Sequence, residues 1–582
     1  MENISLLRDD FDLLQNNLTM KKKVAILIDS TQVSKQIHNL LQLSLKSNNY
    51  EITTLIVNNT DKNDGNIISK IFSYINRRGL LKFLSATVFK IICKIESLYL
   101  KKLGKLSTLY DKYELFENQY EVINVKPLVS KSGFKYRYEK PDIEKIKNAK
   151  LDLLIFAGNS ILQGEILTVC PNGIISIHHA DNDINRDSPP GFWEVYERNP
   201  RTGFIIQRLK EKLNSGDILY KGFVATCWCY SLNLANLYEI SNQVFHDVID
   251  DITSDKPSLS AQKKSPYSFS LYTMPSVSQS LVYLMKTATI LLGKILRKIS
   301  GKSYRWGVAY QFVDSWCDVA LWRSTKIPNP KNRYLADPFV IYRNGEHYCF
   351  VEDYDHATNK GHISVYKITS GSNEELGVAL IEDFHLSYPY LFEFDNELYM
   401  CPETCGKREI RIYKCVNFPL KWVFHKTIMK DVSAADTAIF PYGDKWWMFT
   451  NLDKSEVGDH TSQLHIFYGS YPFTENWISH DKNPIFFDSL KARNGGLIID
   501  KSGTYRTYQR QGFDMYGEAL GVAKINKLTT SEYLEEVLFE VEPRFFKNIK
   551  GTHTYNFDNG LLVFDYAEIS KNKSNLKNPK LD

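Results

Sequence analysis

The chain is 582 residues long, with 72 Lys and Arg against 67 Asp and Glu and a formal net charge of +5. Hydrophobic residues make up 43% and charged residues 24%, an ordinary globular mixture that excludes a mainly disordered, collagenous or coiled-coil protein. The length implies several domains of roughly 100–200 residues, and the small net charge excludes a general nucleic-acid footprint. One excess needs a location: 35 Tyr, 32 Phe and 9 Trp.

The first residues lack the basic and apolar segments of a signal peptide, so a cytoplasmic location is expected. Residues 23–30 (KVAILIDS) form a continuous apolar run, as in a strand buried on both faces. A helical pattern follows Ser34, then a second strand at 50–57 (YEITTLIV). Residues 66–102 read as helix, with Ile71, Ile75, Leu84, Val88, Ile91, Ile95 and Leu98 in period and eight basic residues against one acid, Glu96. Such a segment either packs on its own domain or lies on an anionic membrane surface. Strands at 151–156 (LDLLIF) and 173–178 (GIISIH) complete a βαβ rhythm that predicts a mostly parallel α/β sheet. Ligands sit at the carboxyl ends of such strands, where His178 stands.

Residues 251–268 are polar and read as a linker, followed by an apolar-basic helix near 275–299. Beyond Trp306 the pattern becomes short, aromatic and alternating, and it repeats. Similar units begin at Ala336, Ser387, Ala434, Arg493 and Thr552. Aligning Asp337, Tyr388, Asp436, Asn494 and His553 gives spacings of 51, 48, 58 and 59 residues. Four strands per unit at such a period predict a propeller of five blades, whose first strands line the central channel. The expected layout is multidomain. It has an α/β domain at 22–250 with a basic helical insertion at 66–105, and a linker and amphipathic helix at 251–304. A five-bladed all-β propeller at 305–567 and a polar tail at 568–582 follow.

Residues 173–217 carry Ser176-Ile177-His178, Pro190-Gly191, Thr202-Gly203 and Leu213-Asn214-Ser215-Gly216. In this order they resemble the formyltransferase family, which includes methionyl-tRNA and sugar N-formyltransferases. The resemblance implies formyl transfer from 10-formyltetrahydrofolate to an amine. In that family an Asn and a His stabilise the oxyanion and an Asp manages the proton. Here His178 matches, Ser176 stands in the Asn position and Asn214 in the Asp position. Asp217, or Asp181 and Asp183 in the loop after His178, are the candidate replacement carboxylates.

The repeats resemble glycoside hydrolase family 43 propellers, and more closely the N-terminal domain of glucosamine inositolphosphorylceramide transferases. The residues concerned are Ala336-Asp337-Pro338-Phe339, Phe350-Val351-Glu352-Asp353-Tyr354, Ser387-Tyr388-Pro389, Pro402-Glu403-Thr404, Asp436-Thr437 and Gly551-Thr552-His553. Asp337, Glu352, Glu403, Asp436, Asn494 and His553 are the expected substrate-binding set, since carboxyl pairs serve glycoside chemistry. Together the two resemblances imply a carbohydrate-active transferase in surface polysaccharide or glycolipid biosynthesis. It would carry formyl or acyl transfer to an amino sugar, with the propeller holding the glycan. A glycosyltransferase or hydrolase centred on the propeller and a non-catalytic glycan-binding scaffold are the alternatives. The implied partners are an amino sugar nucleotide or lipid-linked glycan, with peripheral contact at the inner membrane surface and no nucleic acid. No metal is expected, because Cys227/Cys229 and Cys401/Cys405 lack second pairs at zinc spacing.

Overall fold

The computed structural model describes residues 21–59, 72, 75–76, 79–104, 111–115, 119–130, 133–158, 160–184, 189–211, 216–254, 268, 272–455 and 457–571. Backbone proximity divides the chain into two units. Unit 1 comprises Met1–Trp193, Gly203–Gly222 and Cys229–Val282, and unit 2 comprises Glu194–Thr202, Phe223–Trp228 and Tyr283–Asp582.

The α/β sheet has seven strands: β1 (Lys22–Ile28), β2 (Tyr50–Asn58), β3 (Glu121–Val125), β4 (Leu153–Phe156), β5 (Ile174–His178), β6 (Arg201–Arg208) and β7 (Asp217–Ala225). Their order is β7-β6-β5-β4-β1-β2-β3. The five strands from β5 to β3 run parallel, and β6 joins β5 antiparallel. The run from Val24 to Ile28 is buried because both sheet faces are covered. One face packs Ala25, Leu27, Ile56, Leu154 and Ile174 against Ile143 and Ile146. Those two come from α3 (Lys140–Asn148), which follows α1 (Lys35–Ser44) and α2 (Leu80–Lys102). Both α1 and α2 pack along α4 (Tyr230–Thr253). A further helix, α5, spans Val277–Ile299. Among the described residues, no helix is long and apolar enough to cross a membrane.

The second half is built of five antiparallel sheets, one for each expected repeat. Four begin with β9 (Arg333–Arg343), β10 (Ser387–Phe394), β11 (Ala434–Tyr442) and β12 (Asn494–Asp500). The fifth combines β8 (Lys302–Phe312) with β13 (Tyr555–Asp558) and β14 (Leu561–Lys571). Here β8 and β14 pair antiparallel from Lys302↔Lys571 to Phe312↔Leu561. First strands contact one another in succession: β9 with β10, β10 with β11, β11 with β12, β12 with β13, and β13 with β9. Much of the aromatic excess lies between the sheets. Phe339, Tyr388, Tyr390, Phe392, Phe440, Trp447 and Phe449 share one buried cluster.

Candidate functional site

Each of the first four sheets has the same local irregularity. The register slips between Ala336 and Phe339, Ser387 and Tyr390, Ala435 and Ala438, and Asn494 and Gly496. The extra residue of such a bulge leaves the ladder and is re-aimed. At three of these positions it is non-glycine in the left-handed region, with φ of 47° at Asp337, 47° at Tyr388 and 49° at Asp436. That conformation is costly for a residue with a Cβ. Its repetition at equivalent places shows that the fold holds these side chains against their preference.

Asp337 belongs to a buried chain of three groups. His553 Nδ1 lies 2.5 Å from Asp565 Oδ2, and its Nε2 lies 3.4 Å from Asp337 Oδ1. The Thr554 hydroxyl donates to Asp337 Oδ1 and the Tyr388 amide to Oδ2. The His553 and Thr554 amides donate to Asp565 Oδ1. Trp306 stacks on His553 with ring centroids 3.9 Å apart. Burial opposes a charged imidazole, but Asp565 and Asp337 outweigh it and raise the His553 pKa. Burial drives Asp337 up to about 6, against the pull of His553. The ligand atoms of Asp337, His553 and Asp565 lie within 4.8 Å of one another, close enough, among the described residues, to hold a cation. Within the trio the His553 ring nitrogens stand at ion-pair distance from both carboxylates.

A second group adjoins them electrostatically. Arg493 Nε donates to Asp436 Oδ2 at 2.6 Å, and Gln509 Nε2 donates to the same oxygen at 2.9 Å. Arg493 NH2 stands 3.6 Å from Glu403, and Tyr516 lies under its guanidinium. Asp436 is sealed at 2% side-chain exposure, whereas Arg493 and Glu403 keep 12% and 16%. The latter two therefore form the accessible part. Burial, then the neighbouring Asp436 carboxylate, push Glu403 up to about 8. Burial and then Asp337 raise Glu352 well above the ordinary range. The site thus sets carboxyls shifted toward their protonated form beside the Asp436–Arg493 ion pair, an arrangement able to donate and accept hydrogen bonds and, at Glu403, to deliver a proton.

Of the six expected positions here, Asp337, Glu352, Glu403, Asp436 and His553 enter this network. Asn494 plays a supporting part: its side chain donates to the Asp436 carbonyl and its amide to Asn451. Arg493, Asp565, Gln509 and Trp306 were not expected. Arg493 immediately precedes an aligned repeat position, which is the signal that could have found it.

In unit 1, His178 ends β5 opposite Ile205, with Ser176 opposite Gln207. The loop after His178 runs close to β6, and Gly203 of the Thr-Gly motif is what permits it. A Cβ on Gly203 would lie 2.8 Å from Asp181 Cβ and 3.0 Å from its amide. The expected replacement carboxylates are placed otherwise. Asp181 Oδ1 pairs with Lys221 at 2.6 Å and Asp217 pairs with Lys210 at 2.7 Å. Both stand in ion pairs with lysines of the β6–β7 region. Asn214 lies outside the described residues. His179 is a core residue, 2.8 Å from Gln36 Nε2 and edge-on to Tyr238. Burial, then His178, lower its pKa to about 3, which keeps it neutral.

Comparison with known proteins bears on the second half. Residues 300–569 match the family model for glucosamine inositolphosphorylceramide transferase 1, N-terminal. Glucosamine inositolphosphorylceramide transferase 1 of Oryza sativa subsp. japonica is 36% identical over 211 residues, covering 35% of this chain and 28% of the relative. The Arabidopsis thaliana protein of that name is 37% identical over 237 residues, covering 39% of this chain and 30% of the relative. The matched part thus spans less than a third of these relatives. Among solved structures, a GH43_1 enzyme from Xanthomonas citri aligns at 11% identity and a TM-score of 0.32, over 43% of this chain and 91% of that one. Phosphoribosylglycinamide formyltransferase from Bacillus halodurans aligns at 15% identity and a TM-score of 0.25, over 40% and 96%.

Proposed function

We propose that this protein is a carbohydrate-active transferase whose second half is a closed five-bladed propeller with a saccharide site at its centre. The observation that carries the reading is the convergence of Glu403 and Asp436 from two sheets with Arg493 and His553 from the segments that lead into two others. Closure is supported by the cyclic succession of first-strand contacts and by the pairing of β8 with β14. The relatives carry the name glucosamine inositolphosphorylceramide transferase, which supports a glycosylated inositol phospholipid or its amino sugar as the substrate class, with a nucleotide sugar as donor. Arg493 supplies a charge for phosphate, and the carboxyls supply partners for hydroxyl and amino groups. Calorimetric titration with glucosaminyl-inositol phosphate tests this. Binding is expected, weakened at least tenfold in Arg493→Met; no heat from that ligand, inositol phosphate or glucosamine would overturn it.

Acid–base chemistry at the same site is favoured by one further observation. Glu403 is protonated at neutral pH, while its neighbour Asp436 is ion-paired with Arg493. Glu403 keeps 16% side-chain exposure, so its proton can reach a glycosyl oxygen. Glu403→Gln then keeps saccharide binding and lowers turnover by about 10²–10⁴. Equal turnover would leave the site with binding alone.

For unit 1 we propose group transfer at His178, with formyl transfer from 10-formyltetrahydrofolate as the form the family resemblance implies. The support is His178 at the carboxyl end of β5, with Ser176 two residues back on the same face. Only the imidazole of the family's donor set is matched, so no proton step is assigned to Asp181 or Asp217. Turnover of an amino sugar nucleotide with the folate donor, lost in His178→Ala, is the expected result. Unchanged turnover in that variant removes His178 from the reaction.

A further inference from the structure

A helix packed by one face on its own domain ordinarily presents polar residues outward, and α2 does not. Its inner face buries Phe89, Ile92 and Leu100, with Phe89 edge-on to Phe192 at 5.1 Å. Its outer face carries Leu84, Ile91, Ile95 and Leu98, exposed by 42%, 54%, 60% and 61%. Leu80 and Leu81 extend the stripe at 55% and 78%. The spacing of three, four and seven residues places all of these on one side of the helix.

The charges around the stripe are one-sided. Lys90, Lys94 and Lys101 are exposed along one border, and Lys102 stands at its end. The one acid in the helix, Glu96, turns inward and accepts a hydrogen bond from the Ser231 amide at 3.0 Å. The outward surface is therefore apolar along its centre and purely cationic at its edge. Five lysines in 23 residues (Lys82, Lys90, Lys94, Lys101, Lys102) prevent the helix from crossing a bilayer. They suit it to lie in the interface, with leucine and isoleucine among the acyl chains and the ammonium groups at the phosphates. At 1.5 Å per residue the contact line is about 34 Å long.

We propose that the outward face of α2 docks the protein on a membrane surface containing anionic phospholipid. The inference is independent of the saccharide site. Flotation of the full-length protein with vesicles of phosphatidylcholine and 30% phosphatidylserine tests it. Wild type should float, should bind pure phosphatidylcholine vesicles at least tenfold more weakly, and should be released as NaCl rises from 0.1 to 0.5 M. The triple variant Ile91→Gln/Ile95→Gln/Leu98→Gln should lose binding at least tenfold. So should Lys90→Ser/Lys94→Ser/Lys101→Ser, which leaves the apolar stripe intact. Circular dichroism and the thermal midpoint confirm that each variant is folded. Failure of wild type to float overturns the proposal, as does undiminished binding in both folded variants. A wild-type dimer that the glutamine variant splits, with no affinity for vesicles, also overturns it and assigns the face to a second copy.

Discussion

Replacing Glu403 with Gln should make the second half of the protein less sensitive to pH. Burial and the Asp436 carboxylate raise Glu403 from 4.5 to about 8. Between those values the folded state keeps a proton that the unfolded chain has released. The contribution is therefore fully present below pH 4.5 and is lost as pH rises through 8. At about 1.4 kcal/mol per pH unit, and allowing for partial titration at both ends, stability falls by about 3–4 kcal/mol from pH 5 to pH 8. Gln has the shape of the protonated carboxyl and cannot ionise. The variant should match wild type at pH 5 and exceed it by about 3–4 kcal/mol at pH 8. Urea unfolding followed by tryptophan fluorescence measures this, since seven of the nine tryptophans lie beyond residue 300. Asp337 and His553 are also raised, so the variant keeps part of the slope. The same slope in wild type and variant would refute the account of Glu403 as a buried neutral acid.

Two further outcomes follow from the same network. Asp436→Asn and Arg493→Met each strand one member of a largely buried ion pair, and each should cost about 3–5 kcal/mol. The double variant should cost clearly less than their sum, and additivity within about 0.5 kcal/mol in urea unfolding would show that the two are not coupled. Gly517 has φ of 59°, and a Cβ there would lie 2.9 Å from His553 Cβ and 3.2 Å from Trp306. Gly517→Ala should therefore destabilise by about 2–4 kcal/mol and disturb the His553 titration seen by NMR; a neutral effect would mean the Trp306–His553 stack has room to yield.

What the sequence disclosed was whatever repeats or runs without interruption. The run from Val24 to Ile28 reads as a buried strand because no polar residue breaks it, and it forms the buried part of β1. Asp337 and Asp436 emerge from the repeat alignment because the bulge recurs at a fixed place in each first strand. Asp565 was hidden because it sits within an apolar strand, where an acid has no local signature. Trp306 reaches His553 only through the β8–β14 pairing, and no pattern near either residue announces it. Likewise, the period of α2 was legible, but not that Leu84, Ile91 and Ile95 face outward. Periodicity gives a face and does not say what covers it. The lysine partners of Asp181 and Asp217 were unreadable for a similar reason, since both arise from strand register and loop path.

The pairing of β8 with β14 sets an order on biosynthesis. Every strand of the α/β sheet has been made by Ala225, so that sheet can assemble early on the ribosome. The five-sheet half cannot, because the neighbour that β8 needs ends at Lys571. Until that last strand emerges, β8 carries an unmatched edge and the aromatic interfaces beside it are incomplete. Chaperone demand should therefore persist until Lys571 has emerged from the ribosome. Nonsense mutations between residues 312 and 561 should leave the α/β sheet complete but attached to aggregating remnants, rather than yield shortened but orderly molecules.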